Sequence, residues 1–191
     1  MLEKIPSAIG RAAQGIRAGA EDLAIAHTEL TGVNASIEVS STAFGYNEPI
    51  PVQYTADGEG LSPPLEWRCV PLNAEAVVVL VEDPDSPTPQ PMVHAIMWDL
   101  PGADATLPEG ALNSKNDERN SESMGQNSFF NATYLPPDQP PGHGTHRYVF
   151  QVFALDAVSR FESPPGRSTL LEHIRGHVLA KGLLIGTYAR E

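Results

Sequence analysis

The run Ala76-Val77-Val78-Val79-Leu80-Val81 is apolar at every position and rich in β-branched residues. A half-exposed strand alternates apolar and polar side chains, so an unbroken run of this kind predicts a strand covered on both faces. It stops abruptly at Asp83-Pro84, where proline stiffens the chain and removes a ladder donor. A fold built around this segment needs a layer on each side of one sheet. With 191 residues, 41% of them hydrophobic and 19% charged, the chain can supply those layers within a single domain. Its 16 glycines and 18 prolines exclude an architecture of long helices. The expected fold class is therefore mainly β.

Other segments fit that scheme. Ile37 and Val39 alternate with polar residues ahead of Phe44, so the β domain opens near Ser36. Asp57-Gly58-Glu59-Gly60 is a turn, and Leu61-Ser62-Pro63-Pro64-Leu65-Glu66-Trp67 is expected to cross a sheet edge because of its prolines. Val93 to Leu100 predicts a second strand, with His94, Ile96 and Trp98 on one face and Ala95, Met97 and Asp99 on the other. From Pro101 to about Pro141, including the charged piece Asn113 to Ser123, long surface connections are expected. Tyr148 to Leu155 is again strand-like. Ser168 then opens a helix that buries Leu170, Leu171, Ile174 and Val178 and stops at Gly182, followed by a last strand from Leu183 to Tyr188. Cys69 is expected to be a buried apolar residue.

Ahead of the β domain, which spans 36–191, lies an extension over 1–35. Within it Ile5, Ile9, Ala12, Ala13, Ile16 and Leu23 fall on one helical face. The usual fate of such a short amphipathic helix is packing on its own domain. Attachment to a membrane surface, or pairing of two copies into a homodimer, are alternative uses of the same face. A formal net charge of −12 repels nucleic acid and anionic membrane in general, so no nucleic-acid partner is expected. The single cysteine allows no internal disulfide and suits a reducing compartment. The chain shows neither the apolar stretch of a signal peptide nor a run long enough to span a bilayer, so a cytoplasmic location is expected.

Chemistry-bearing residues gather in two stretches. In Asp83-Pro84-Asp85-Ser86-Pro87-Thr88-Pro89 two carboxylates stand at alternate positions and prolines hold the backbone, although the same residues also make an ordinary turn. In Gly142-His143-Gly144-Thr145-His146-Arg147-Tyr148 a flexible loop runs into a strand that places His146, Tyr148 and Phe150 on one face. His94 opens a strand in the same manner. If these strands are neighbours, Asp83, His94, His146 and Tyr148 converge at one mouth of the sheet. A carboxylate beside an imidazole favours the protonated ring, and imidazolium, phenol and glycine N–H groups all donate, so such a site suits an anion. Arg147 points to the opposite face and is expected in a structural ion pair.

Together with Leu61 to Trp67, Val81 to Pro87, Val93-His94, Gly142 to Tyr148 and Phe153-Ala154-Leu155-Asp156, the sequence resembles the phosphatidylethanolamine-binding protein family, and more closely its bacterial branch often called Raf kinase inhibitor-like proteins. The resemblance runs from about Ser36 to Glu191. It implies a large central antiparallel sheet packed on a smaller sheet, with a C-terminal helix beside a pocket for phosphate-like or other small anionic groups. Carried over by motif, Asp83, His94, His146 and Tyr148 correspond to the pocket groups, Gly142 and Gly144 lend backbone to the site, and Asp85 and Pro87 shape it. The sequence departs from many bacterial relatives at Ala95, where they carry tryptophan, and at Leu135-Pro136-Pro137-Asp138, where a glycine-proline stretch is usual.

The function expected is non-enzymatic binding of a small anionic or phosphoryl-bearing ligand, with occupancy passed on to a protein partner. No cofactor is expected. The alternative is a hydrolase, metal-dependent or metal-free, in the same pocket. Asp83, His94 and His146 form a two-histidine, one-carboxylate set, but neither histidine sits in a dense ligand motif, so no metal is assigned. His173 and His177 stand at helical i and i+4 spacing, which can grip a metal, but are read as a helix-end residue and a surface residue. Ser62 and Ser86 lie in no Gly-x-Ser-x-Gly elbow that would make either a nucleophile.

Overall fold

The computed structural model describes residues 2–113, 123–158 and 160–190. Strands β1 (Glu38–Ser40), β3 (Leu65–Arg68) and β6 (Ala105–Leu107) make a small antiparallel sheet in the order β1-β3-β6. The larger sheet runs β2 (Glu48–Pro49), β9 (Val178–Tyr188), β8 (His146–Leu155), β4 (Ala76–Asp83), β5 (Met92–Pro101), β7 (Met124–Gly125). Its pairings are antiparallel except the short edge contact of β2 with β9, which is parallel.

Strand β4 is buried along its whole length. Val77, Val79 and Val81 pack with Leu65, Trp67, Tyr148 and Phe150 in a core between the sheets. Val78 and Leu80 face the other way, into a second core with Ala24, Leu30 and the residues Leu170 and Ile174 of the C-terminal helix, Arg167–Ile174. Each such side chain contributes roughly 1.5–3 kcal/mol through burial. The period of two carries on to the strand's end, where it sends two acids to opposite faces. Glu82 enters the second core side and meets Arg167 Nε at 2.5 Å and Gln151 Nε2 at 2.7 Å. Asp83 falls on the side of the inter-sheet core. Among the described residues no helix is long and apolar enough to cross a membrane.

Several segments differ from their sequence-based expectation. Leu65–Arg68 is the middle strand of the small sheet, with Glu66 paired to Ser40 on one side and Thr106 on the other. Pro63 and Pro64 precede the pairing, so they remove no ladder hydrogen bond. The C-terminal helix stops at Ile174, and Val178 and Gly182 belong to β9. Gly182 is a close-approach glycine and not a helix stop: a Cβ there would stand 2.0 Å from the Ile37 carbonyl oxygen. His177 therefore lies beyond the helix, where its Nδ1 pairs with Asp156 at 2.8 Å, while the His173 ring meets Phe161 at a tilt of 57°. Cys69 is exposed and has φ +65°, a turn geometry that turns its side chain out of the core. The stretch between β5 and residue 141 contains the short strands β6 and β7, and its charged piece, over 114–122, lies outside the described residues.

The opening segment is also broken up. A 3-10 turn, Leu2–Lys4, precedes an α-helix, Ser7–Ala13, and further 3-10 turns follow at Ala20–Asp22, Ala24–Ala26 and Thr28–Leu30. Ile9 and Ile16 are each 58% exposed, so the apolar face drawn from helical spacing is not the buried one. Gly10 is buried instead: a Cβ there would stand 2.0 Å from the Pro141 carbonyl oxygen. The glycine gives the helix backbone contact with the loop before β8.

Candidate functional site

A cavity of about 450 Å³ opens where β4, β5 and β8 end. Asp83, Pro87, His94, His146 and Tyr148 line it, with Leu2, Met92, Phe129, Leu135 and Gln139 among the remaining walls. Asp83 arrives by the strand parity of β4, and His146 and Tyr148 by that of β8. His94 arrives by a different device. The register of β4 against β5 shifts between Val81 and Glu82, which pair with Ala95 and Val93, so His94 is the extra residue of a β-bulge. Ile96 and Trp98 keep to the helix side, whereas the His94 ring turns to the opposite face and meets Tyr148 edge-on, with centroids 5.0 Å apart. Strict alternation would put all three on one face.

The other named positions stand outside this lining. The Asp85 backbone N–H caps Asp83 Oδ1 at 2.8 Å, but its carboxylate turns away and accepts from Arg147 N, Nε and Nη2 at 2.8–2.9 Å. Arg17 Nη1 lies 2.7 Å from the same group. Burial opposes ionisation of Asp85, yet the hydrogen bonds from Arg147 and Arg17 outweigh it and hold the carboxyl at about 2. Gly142 and Gly144 take φ +78° and +101° and face the N-terminal segment: Gln14 Nε2 donates to the Gly142 carbonyl at 2.7 Å.

A buried chain of rings passes through the wall. Asp83 Oδ2 lies 2.7 Å from His146 Nδ1, His146 Nε2 lies 2.6 Å from His143 Nδ1, and His143 Nε2 lies 2.9 Å from the Ala13 carbonyl oxygen. A carbonyl only accepts, so His143 carries its proton on Nε2, and each of the other two contacts holds one proton. Three protons shared over one carboxyl and two imidazoles make the group neutral overall: a carboxylate with one imidazolium, or a carboxylic acid with two neutral rings. Burial, and then the charge of the neighbouring ring, disfavour a cation on His143. His146 thus has both nitrogens engaged and offers none to the cavity.

Among the described residues, two that line this cavity each carry a buried polar atom without a partner. His94 Nδ1 donates to the Leu135 carbonyl at 2.6 Å, which leaves Nε2 as a bare acceptor; burial lowers the ring's basicity, only partly offset by the Asp83 charge. Gln139 is the second. Tyr148, whose own ionisation burial suppresses, donates its hydroxyl proton to Gln139 Oε1 at 3.0 Å, which leaves the amide Nε2 as a donor. His94 and Gln139 are 2% and 3% exposed, and both nitrogens lack a hydrogen-bond partner. Unsatisfied buried groups are costly, and Trp98 Nε1, outside the cavity lining, is a third such atom. Neither His143 nor Gln139 is among the pocket groups expected from sequence. The histidine lies between two glycines three residues before His146, a visible signal, but nothing local signals the Gln139 contact. A hollow of about 480 Å³ beside the C-terminal helix includes Arg167, but that side chain is already spent on Glu82.

The sequence matches the family profile described as Phosphatidylethanolamine-binding protein over residues 40–189. A UPF0098 protein of Pyrococcus horikoshii is 36% identical over 157 residues, covering 82% of this chain and 78% of its own. A UPF0098 protein of Chlamydia trachomatis is 35% identical over 159 residues, covering 81% of this chain and 100% of its own. Among solved structures, a phosphatidylethanolamine-binding protein homologue from Chlamydia trachomatis superposes with a TM-score of 0.71 at 35% identity, over 83% of this chain and 99% of the other. E. coli YbcL superposes with a TM-score of 0.74 at 22% identity, over 82% of this chain and 100% of the other, a likeness of fold. The bulged histidine, the paired acid and the two-sheet frame thus belong to a chain that is a member of the phosphatidylethanolamine-binding protein family.

Proposed function

We propose that this protein holds a phosphoryl-bearing or similarly acidic small ligand in the cavity, without transforming it. The observation that carries this is the unpartnered pair His94 Nε2 and Gln139 Nε2, one acceptor and one donor in the same buried wall. A phosphate monoester monoanion supplies both complements: its P–OH donates to His94 Nε2, and a second oxygen accepts from Gln139 Nε2. Transfer of that proton to His94 gives imidazolium against a dianion with the same proton count. Leu2, Met92, Phe129 and Leu135 fit an apolar substituent on the phosphoryl group.

Passive binding fits the state of the other groups. Ser86 Oγ donates to the Asp83 carbonyl and accepts from Met92 N, and His146 is committed at both nitrogens, so neither is poised as an activated nucleophile or its base. The second reading, hydrolysis, draws on one feature: His94 Nε2 has a free lone pair that would accept a proton from water. Calorimetric titration with phenyl phosphate, run beside phosphatase and esterase assays, separates the two. Binding reduced at least tenfold in His94→Asn and Gln139→Leu, with no turnover, is expected. Turnover abolished by His94→Asn would establish the hydrolase instead.

A further inference from the structure

The N-terminal segment 2–19 lies wholly ahead of the family-matched residues 40–189, yet it touches both loops that carry the cavity. Leu2 is one of the cavity's walls, and its backbone N–H donates to the Asp138 carboxylate at 3.1 and 3.3 Å. Gly10 sits on Pro141 and His143, and Ala13 supplies the acceptor that ends the Asp83–His146–His143 chain. Arg17 Nη1 donates to the Thr145 carbonyl at 3.2 Å, while Ala18 N and Gly19 N donate to the Ser86 and Pro84 carbonyls at 3.0 and 2.9 Å. One short segment therefore spans the loop after β4 and the loop before β8.

Apart from the ion pair of Arg17 with the buried Asp85 at 2.7 Å, few of its attachments bury apolar surface. Ile9 and Ile16 are exposed, and the hydrogen bonds from Gln14 and Arg17 to the loop before β8 are solvent-exposed, so little apolar burial holds the segment down. We infer that residues 2–19 form a strap that closes the ligand cavity, with Leu2 as its end wall, and that the buried histidines sense its seating through the bond from His143 to Ala13. Seated, the strap limits how long a ligand the cavity takes and fixes the proton on His143 Nε2. Released, it removes the end wall and takes the last acceptor from the chain of rings. The ligand side of this inference rests on the phosphoryl-binding reading above, and the ring side stands without it.

Gly10→Leu in the full chain tests both. The Cβ of any larger residue would stand 2.0 Å from a backbone oxygen and 2.9 Å from His143 N, so the strap must lift. Ligand-free, the ring nitrogen resonances of both His143 and His146 should move while amide exchange at Ala18 and Gly19 accelerates. With ligand, the preference of the wild-type protein for phenyl phosphate over a long-chain alkyl phosphate should fall by about fivefold or more. Arg17→Ala, which removes the strap's bonds to the Thr145 carbonyl and to Asp85 while leaving the cavity lining intact, should shift the same signals in the same direction by less. Faster exchange at Ala18 and Gly19 with unchanged histidine signals and unchanged chain-length preference would overturn the strap. A wild-type protein that binds no phosphate ester would overturn the ligand assignment, and the ring signals would then decide the strap alone.

Discussion

The Nε2 atom of His146 lies 2.6 Å from Nδ1 of His143, and this contact joins the floor of the cavity to the N-terminal segment. It makes His146 part of the wall, so the ligand meets His94 and Gln139. Replacing His143 by alanine leaves His146 Nε2 buried without its partner and strips the Ala13 carbonyl of its donor. His143→Ala should lower unfolding free energy by about 1–3 kcal/mol, read from the urea midpoint at neutral pH. An unaltered midpoint would mean that the ring contact carries no weight in the fold.

His94 gives a pH signature of stability. Burial lowers its proton affinity in the folded state below the ordinary value of 6.5, so the unfolded chain binds the proton more readily. Its contribution is fully present above that ordinary value and is lost as the pH falls below it, toward the folded-state value. The urea midpoint should therefore drop on acidification from pH 7 to 5.5, and His94→Asn, which keeps a donor for Leu135, should flatten that part of the curve.

Asp85 acts in a more acidic window. Its carboxyl is held at about 2 against an ordinary 3.8, so the stability it brings is present above about pH 4 and disappears as the pH falls through 2. Asp85→Asn should cost about 3 kcal/mol at neutral pH, because Arg147 and Arg17 lose a buried partner, and should remove this acid transition. Denaturation curves between pH 2 and 5 would reveal a parallel loss in both proteins if the pairing did not matter.

Gly182 offers a test of the frame. Gly182→Ala places a methyl group 2.0 Å from the Ile37 carbonyl oxygen, and the segment entering β1 must move away from β9. A fall in thermal midpoint is expected, with the β1–β3–β6 sheet losing amide protection before the larger sheet. Unchanged exchange in β1 would show that the close approach is not under tension.

Much of the frame is legible in the sequence because burial on both faces leaves a plain signature. The unbroken valine run predicts β4, and alternation predicts β5 and β8, to within a few residues of their observed ends. The site is legible only where strand parity holds. Asp83, His146 and Tyr148 follow it, but His94 reaches the cavity through a bulge that no local pattern announces. Asp85 loses its alternate position because β4 ends at Asp83 and Arg147 draws the carboxylate across. At the C-terminal end, the apolar spacing of Leu170, Ile174 and Val178 suits a helix, while tertiary pairing of Val178 with Leu155 takes the last of them into a strand. The N-terminal segment misleads for a similar reason: its anchoring residue is Gly10, which hydrophobic periodicity does not count.

The pH dependence of phosphate-ester affinity tests the central claim most directly. A bound phosphoryl group shares one proton with His94, whereas above a phosphate second pKa of about 6 the free ester and the free His94 ring both lack it. Binding then takes up a proton, and calorimetry on the wild-type protein between pH 7 and 9 should show affinity for phenyl phosphate falling about tenfold per pH unit. Affinity that stays level across that range would contradict a proton shared between His94 and the ligand.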